Sequence, residues 1–469
     1  MIAHELTPAP DPVRCCERLS GLPYRVFLDS AQHGPSLGRY SFVAAEPAAV
    51  VSRRREKTVE AAGDALDDLR LLLAPRAAEA IPGLPPFQTG ALGYIAYEWG
   101  RTLERIAPSR YDDLDLPDVV FGIYDWAIAW DHEASRAWVI ARDEANKRRA
   151  LDLIGDLEKI AEPSHTTASR PIHAVESPER PPSYPVDADW IDPRLGLRSS
   201  FTHAGYLDAV NRVREYIYAG DIFQANLSQR FEAALVESPW DLYRRLRTRN
   251  PAPFAAFIEL PECAILSASP ERFMRVEASG HVETRPIKGT RPRGVGPEHD
   301  AALGRALTES AKDRAENLMI VDLIRNDLSR VCEAGSVRVR ELFALEHFAT
   351  VHHLVSTVVG TLAPGLDGLD LLRASFPGGS ITGAPKIRAM EIIAELEPSV
   401  RGVYCGAIGY VSATGELDTN IAIRTALARD GRVYLNAGGG IVADSDAEQE
   451  YQETFHKARG IIDALVTPT

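Results

Sequence analysis

The sequence predicts a mixed α/β fold whose strands pair mostly antiparallel, and three observations carry that expectation. Short runs rich in β-branched and aromatic residues recur along the whole chain. Segments with apolar residues three and four apart separate them. The two kinds of segment do not alternate in the regular strand–helix–strand rhythm that a parallel sheet needs, so meandering strands are expected instead. At 469 residues the chain is long enough for two or three domains, or for one unusually large α/β unit.

Taken in order, Tyr24–Asp29 and Gly38–Val43 read as an antiparallel pair broken by a polar turn around Gln32-His33-Gly34. Ala61–Ala74 has helical spacing through Leu66, Leu69 and Leu73. The Pro85–Glu98 stretch reads as a glycine-punctuated strand followed by helix. Val119–Trp130 and Ala137–Ala141 alternate like a further hairpin, and Glu144–Ile160 is helical. From Glu162 to Asp189 the chain turns rich in Pro, Ser, Thr and His, the composition of a linker or exposed loop. This divides the sequence into an N-terminal region, 1–161, a connection, 162–189, and a C-terminal region, 190–469. Beyond it, helices are expected at Ala204–Ala219, Trp240–Arg249, Leu303–Cys332, Lys386–Leu396 and Ala447–Leu465. Strands are expected after Gly220 to Arg230, at Ala255–Leu260, Ala264–Ser267, Phe273–Val276, Gly402–Val411 and Arg432–Asn436.

Composition narrows the function. A net charge of −14 argues against nucleic acid as a partner, since phosphate binding needs concentrated Lys and Arg. The five cysteines lack metal-ligand spacing and fit a reducing compartment. There is no basic-then-apolar leader and no run of about 18 apolar residues, so a cytoplasmic protein without membrane contact is expected.

Three constellations could carry chemistry. Asp313 and Glu316 share a helix face, as do Glu450 and Glu453; two such faces opposed would offer the hard oxygens that Mg²⁺ prefers. Each helix also has a plain structural reading, with Ser310/Asp313 and Ser445/Glu448 as capping boxes and Glu453 paired to Lys457. The loop Phe376–Lys386 is glycine-rich and runs into a helix with Pro385 at its first turn, a place where backbone N–H groups could hold a carboxylate. It lacks the Walker spacing, and a tight structural turn would read the same way. Gly438-Gly439-Gly440 is a similar cluster expected at a strand end. Lys288, in Pro286-Ile287-Lys288-Gly289-Thr290, reads locally as a turn lysine. It is either an exposed charge or an amine whose pKa must fall from about 10.4 before it can attack.

Together these stretches, with Ala315–Asp327, Asp418–Arg424 and Gly438–Ser445 in the same order, resemble the chorismate-utilising enzymes, and within them the branch that aminates chorismate at C4. The resemblance spans nearly the whole chain and is most specific from Ala204 onward. It implies one large α/β unit with two facing antiparallel sheets sandwiched between helices. It also implies Mg²⁺-dependent replacement of the C4 hydroxyl of chorismate by ammonia, on the route to para-aminobenzoate and folate. By matching positions, Glu316 and Glu453 are expected to hold Mg²⁺, with Asp313 and Glu450 beside them. Tyr404, Arg424, Thr382, Gly383, Gly438, Gly440 and Lys457 are expected to bind substrate. His353 matches a histidine beside the reacting ring, and Glu271 a carboxylate for proton transfer at the departing hydroxyl. Gln224 stands where water-using relatives resemble one another in having a lysine base, and Lys288 where anthranilate synthases look to have alanine. No glutaminase segment is legible, and Cys405 sits in a strand-like run without the glycine of a nucleophile elbow. Ammonia is therefore expected from a separate glutamine amidotransferase subunit. Ortho-amination, as in anthranilate synthases, and a non-catalytic partner role are the rival readings. The strands Phe27–Ser30 and Tyr40–Phe42 resemble the region where anthranilate synthases bind tryptophan.

Overall fold

The structure, a computed structural model, describes residues 1–33, 37–54, 64–155, 179–186, 188, 190–347 and 351–466. Two antiparallel sheets face each other, one of 13 strands and one of 10. The larger runs, edge to edge, through Ile2–Leu6, Arg136–Ala141, Trp126–Asp131, Tyr40–Ala44, Val26–Asp29, Phe254–Glu259, Ala264–Ser269, Thr425–Arg429, Arg432–Ile441, Gln224–Ala234, Arg198–Ser199 and Tyr184–Pro185, with the short Gly383–Ala384 pairing Gln224–Ala234 off this path. The smaller carries Ile287–Pro292, Val351–Thr361, His281–Thr284, Arg272–Val276, Leu417–Ile421, Ala407–Ser412, Gly90–Ile95, Val119–Tyr124 and Ala49–Arg53, with Arg338–His347 pairing Val351–Thr361 off this path.

Both sheets are woven from the two halves of the chain. Phe27 lies opposite Phe257 in one, and Gly93 opposite Gly409 in the other. Between the sheets the core is aromatic: Phe42, Phe87 and Tyr410 meet pairwise with ring centroids 5.4–5.6 Å apart. On the outer face of the larger sheet lie the helices Pro12–Arg18, Glu144–Ile154, Pro239–Arg249 and Ala447–Leu465. The outer face of the smaller sheet is covered by Ala65–Leu73, Ala311–Ser329 and Gly368–Ser375. The layers are thus helix, sheet, sheet, helix, as the resemblance implied. The part of the 162–189 connection at 162–178, together with 187 and 189, lies outside the described residues, as do 156–160 of the helix expected to reach Ile160 and 61–63 of the one expected from Ala61.

Five local expectations are corrected. Val119–Trp130 is not one strand: it breaks at Asp125, and its halves enter different sheets, which only long-range pairing decides. The long helix Leu303–Cys332 divides at Ser310, which ends Pro297–Glu309 and caps Ala311–Ser329 by accepting from Asp313 N. Gly402–Val411 is a strand only from Ala407; the preceding residues form a turn in which Cys405 has φ +63° and is fully buried. The Ala447–Leu465 helix is capped by Asp446, and Ser445 instead donates to Glu450 Oε1 at 2.7 Å. Pro385 is the N-cap residue of Lys386–Leu396 rather than part of its first turn.

One buried ion pair locks the centre. Arg401 Nη2 meets Glu397 Oε1 at 2.7 Å, and both side chains are almost wholly buried. The same guanidinium donates to Ile381 O and Asn226 O, while Glu397 accepts from Ser228 N. Removing one partner of such a pair strands the other charge in the core. Arg401→Ala is expected to lower stability by about 3–5 kcal/mol, read as a shift of the urea unfolding midpoint at unchanged slope.

Candidate active site

Lys288 lies in a strand, not in an exposed turn. Ile287–Pro292 pairs with Val351–Thr361, but the register slips between Ile287 and Thr290, so Lys288 and Gly289 occupy a bulge. Gly289 has φ +83°, and a Cβ there would lie 2.9 Å from Asp313 Oδ1, so glycine is required twice over. The bulge sends the lysine inward, where Nζ donates to Ser380 O at 3.0 Å. Burial lowers its pKa; Glu316, Glu271 and Glu453 oppose that shift, and the charge of Lys457 adds to it.

Glu271, at the start of Arg272–Val276, is 4% exposed and accepts from Ile287 N at 3.4 Å. Burial pushes its pKa up to about 7, while Ser380 and Lys288 pull the other way. A carboxyl at that value can give or take a proton near neutrality. His353, one residue along the strand from the fully buried His352, faces Thr290 across the ladder and shares a 2.9 Å hydrogen bond between its Nδ1 and Thr290 Oγ1. Burial, then the charge of Arg424, pushes its pKa down to about 4, so the ring is neutral at physiological pH.

The carboxylate helices do face this centre, unequally. Burial raises the pKa of Glu316, which is further raised by the charges of Asp313 and Glu453. Glu450 is 7% exposed and raised for the same reason, with Ser445 opposing. Glu453 pairs with Lys457 at 2.5 Å, but its side chain is 48% exposed, so the pair contributes only about 0–1 kcal/mol. Asp313 is turned to Arg291, whose Nη2 lies 2.9 Å from its Oδ2. Among the described residues no three His, Cys, Asp or Glu side chains are grouped closely enough to form a ready metal cage.

The opposite wall is made where Gln224–Ala234 lies between Arg432–Ile441 and the short Gly383–Ala384 strand. Gly438, Gly439 and Gly440 are inside the Arg432–Ile441 strand, not beyond its end. A Cβ on Gly439 would fall 2.9 Å from Glu450 Oε2, and one on Gly440 would fall 2.4 Å from Gln224 Nε2. Gln224 is fully buried, and neither its Nε2 nor its Oε1 has a partner. Gly383 passes so close to Gln224 O that a Cβ would sit 2.1 Å away. Thr382 Oγ1 donates back to Gly378 O at 3.0 Å. Lys457 Nζ donates to Gly438 O at 2.8 Å, and Arg424, with φ +52°, donates to Lys457 O. Burial lowers the pKa of Arg424 and raises that of the buried Tyr404. Cys405 is pushed up to about 12 by burial, the state of an inert structural thiol.

Sequence reading had therefore named most of the wall, but it passed over Ser380, Arg401 and Asn226. Asn226 could have been found from strand alternation, being two residues from Gln224 and so on the same face.

The fold and these groups point to an enzyme class: a part-buried lysine amine, a carboxyl whose pKa is pushed up to about 7 and the acidic residues of two helices lie close enough to act on one another. Residues 24–463 match the family model for chorismate binding enzymes, and the chain belongs to that family. It is 42% identical to aminodeoxychorismate synthase component 1 of Salmonella typhimurium, covering 95% of this chain and 93% of that one. It is also 42% identical to anthranilate synthase component 1 of Streptomyces coelicolor, covering 93% of this chain and 83% of the relative. The crystal structure of anthranilate synthase component I from Streptococcus pneumoniae superposes with a TM-score of 0.74 at 34% identity, covering 92% of this chain and 93% of the other.

The lowered histidine sets a stability profile. Unfolded His353 would titrate near its ordinary value of about 6.5, whereas the folded group stays neutral to about 4. Between those values the unfolded chain binds the extra proton, so stability present above about pH 6.5 is lost as pH falls toward 4. His132, also pushed down to about 4 by burial, adds to the same slope. His353→Gln is expected to flatten part of that slope, measured as unfolding free energy at successive pH values.

Proposed function

We propose that this chain is the chorismate-aminating component of an aminodeoxychorismate synthase, converting chorismate and ammonia to 4-amino-4-deoxychorismate and water. The observation that carries the reading is the inward Lys288 amine on Ser380 O, desolvated and set among Glu271, Glu316 and Glu453. Full-length relatives of 38–43% identity named aminodeoxychorismate synthase component 1 support it.

In the proposed chemistry the neutral Lys288 amine attacks C2 of the ring. Both ring double bonds shift toward C4, and the C4 hydroxyl leaves as water with the proton that Glu271 supplies, giving a C2 ammonium adduct and a Glu271 carboxylate. Ammonia then adds at C4, the double bonds shift back, the lysine leaves C2 as the neutral amine, and the proton released by the new C4 ammonium returns to the Glu271 carboxylate. His353, neutral and held by Thr290, lines the ring without adding charge. Gln224 offers an uncharged amide where a water-using site would want a base. Thr382, Gly383, Gly438, Gly440, Tyr404, Arg424 and Lys457 hold the two substrate carboxylates.

Mg²⁺ fits the donor set, because it is ordinarily held by one or two carboxylates with substrate oxygens and waters completing the shell. Glu316 and Glu453 would hold it, with Glu450 beside them, and it would neutralise the ring carboxylate facing these acids. Asp313, already paired with Arg291, is the weakest candidate ligand. "Component 1" in the relatives' names accords with ammonia delivered by a separate glutamine amidotransferase subunit, in a cytoplasmic pathway to para-aminobenzoate and folate.

Purified protein given chorismate, Mg²⁺ and ammonium is expected to yield the 4-amino product by mass spectrometry; anthranilate with release of pyruvate would overturn the reading. Lys288→Ala is expected to slow amination by at least about 100-fold while chorismate affinity changes little. Because Glu271 must carry its proton, the rate is expected to fall as pH rises through about 7. Glu271→Gln removes that alkaline limb and costs about 10²–10⁴ in kcat.

A further inference from the structure

Asn226 has no role in the reading above, yet the structure leaves it in an unusual state. It is 6% exposed, its Nδ2 is buried without a partner, and it lies two residues from Gln224 on the same strand face. Its backbone is fixed on both sides: Asn226 N donates to Thr382 O at 2.8 Å, and Asn226 O accepts from Arg401 Nη2 at 2.6 Å. Across the ladder it faces Gly440, the same residue against which the Gln224 amide rests. Two neighbouring amides, both desolvated and incompletely bonded, thus sit between Thr382 and Gly440, in the wall that would receive a carboxylate.

An unpartnered buried amide costs about 1–3 kcal/mol, and an isosteric apolar residue would relieve that cost in the free protein. A polar group kept there is explained by a bond made only when ligand is present. We infer that Asn226 is a substrate-contact residue whose Nδ2 donates to an oxygen of bound chorismate, making with Gln224 an amide pair at the Gly440 edge of the site. This rests on the proposed function only in naming chorismate as the ligand. The donor suits an anionic or hydroxyl oxygen and reads nothing of the position at which nitrogen later enters.

The test is Asn226→Leu in the full chain, with the same side-chain branching and no donor, with Asn226→Asp as the negatively charged comparison. Asn226→Leu is expected to keep or raise the thermal midpoint of the ligand-free protein. It should weaken chorismate binding, read by calorimetry with Mg²⁺ and no ammonium, by about 10- to 100-fold. Asn226→Asp should weaken it further by placing a carboxylate against an anion. Unchanged chorismate affinity in Asn226→Leu overturns the inference. So does a loss confined to the KM for ammonium, which would put the amide on the nitrogen source instead. A lowered midpoint in the free protein would show a structural amide and equally overturn it. Because binding is read before any amination, an ortho product would sink the proposed function while leaving this result to stand or fall by itself.

Discussion

The buried Arg401–Glu397 pair is the constraint on which the rest of the structure depends. One guanidinium joins the C-terminal end of Lys386–Leu396 to the carbonyls of Asn226 and Ile381, and the facing carboxylate holds Ser228. Tyr97 and Tyr404 cover it, with Arg401 Cζ 4.6 Å and 5.7 Å from their ring centroids. Burying both charges is costly unless every donor and lone pair is met. Meeting them pulls a strand of the larger sheet, the glycine loop and a helix of the second half into one rigid corner, with Glu98 of the first half closing it through Arg401 N and Gly402 N. The candidate site is the inner face of that corner.

Electrostatics then follow from burial. The chain is acidic overall at −14, and Glu316, Glu271 and Glu453 lie near enough to Lys288 to act on its charge. Glu316 and Glu450 are pushed up by desolvation and Lys288 is pushed down, and Glu316 and Lys288 moderate each other. A turn lysine in water would be neutral in only about one molecule in 2,500 at pH 7. The bulge at Gly289, which rotates that lysine off the surface and onto Ser380 O, changes its chemistry without changing a residue.

Much of this was legible in the chain. Lys386–Leu396 and Ala447–Leu465 fall where their apolar spacing put them, and the paired carboxylates share faces as a three-residue step requires. The strands Phe254–Glu259 and Arg432–Ile441 carry dense apolar runs and were readable for that reason. Strands such as Ile287–Pro292 and Arg338–His347 were not, because they hold charged, partly exposed residues whose strand state comes from the partner Val351–Thr361. Asp125 hid a change of sheet inside what reads as one run.

By itself the sequence determined which side chains could do chemistry, since residue type and spacing fix what can donate, accept or ligate and which groups share a helix face. It also determined the α/β character, since periodicity is a local property. Tertiary structure alone decided that Lys288 points inward, that Asp313 pairs with Arg291, and that Gln224 and Asn226 have unpartnered amide groups at a glycine edge. Those outcomes depend on burial and on strands paired across hundreds of residues, and neither desolvation nor register is written in the neighbours of a residue along the chain.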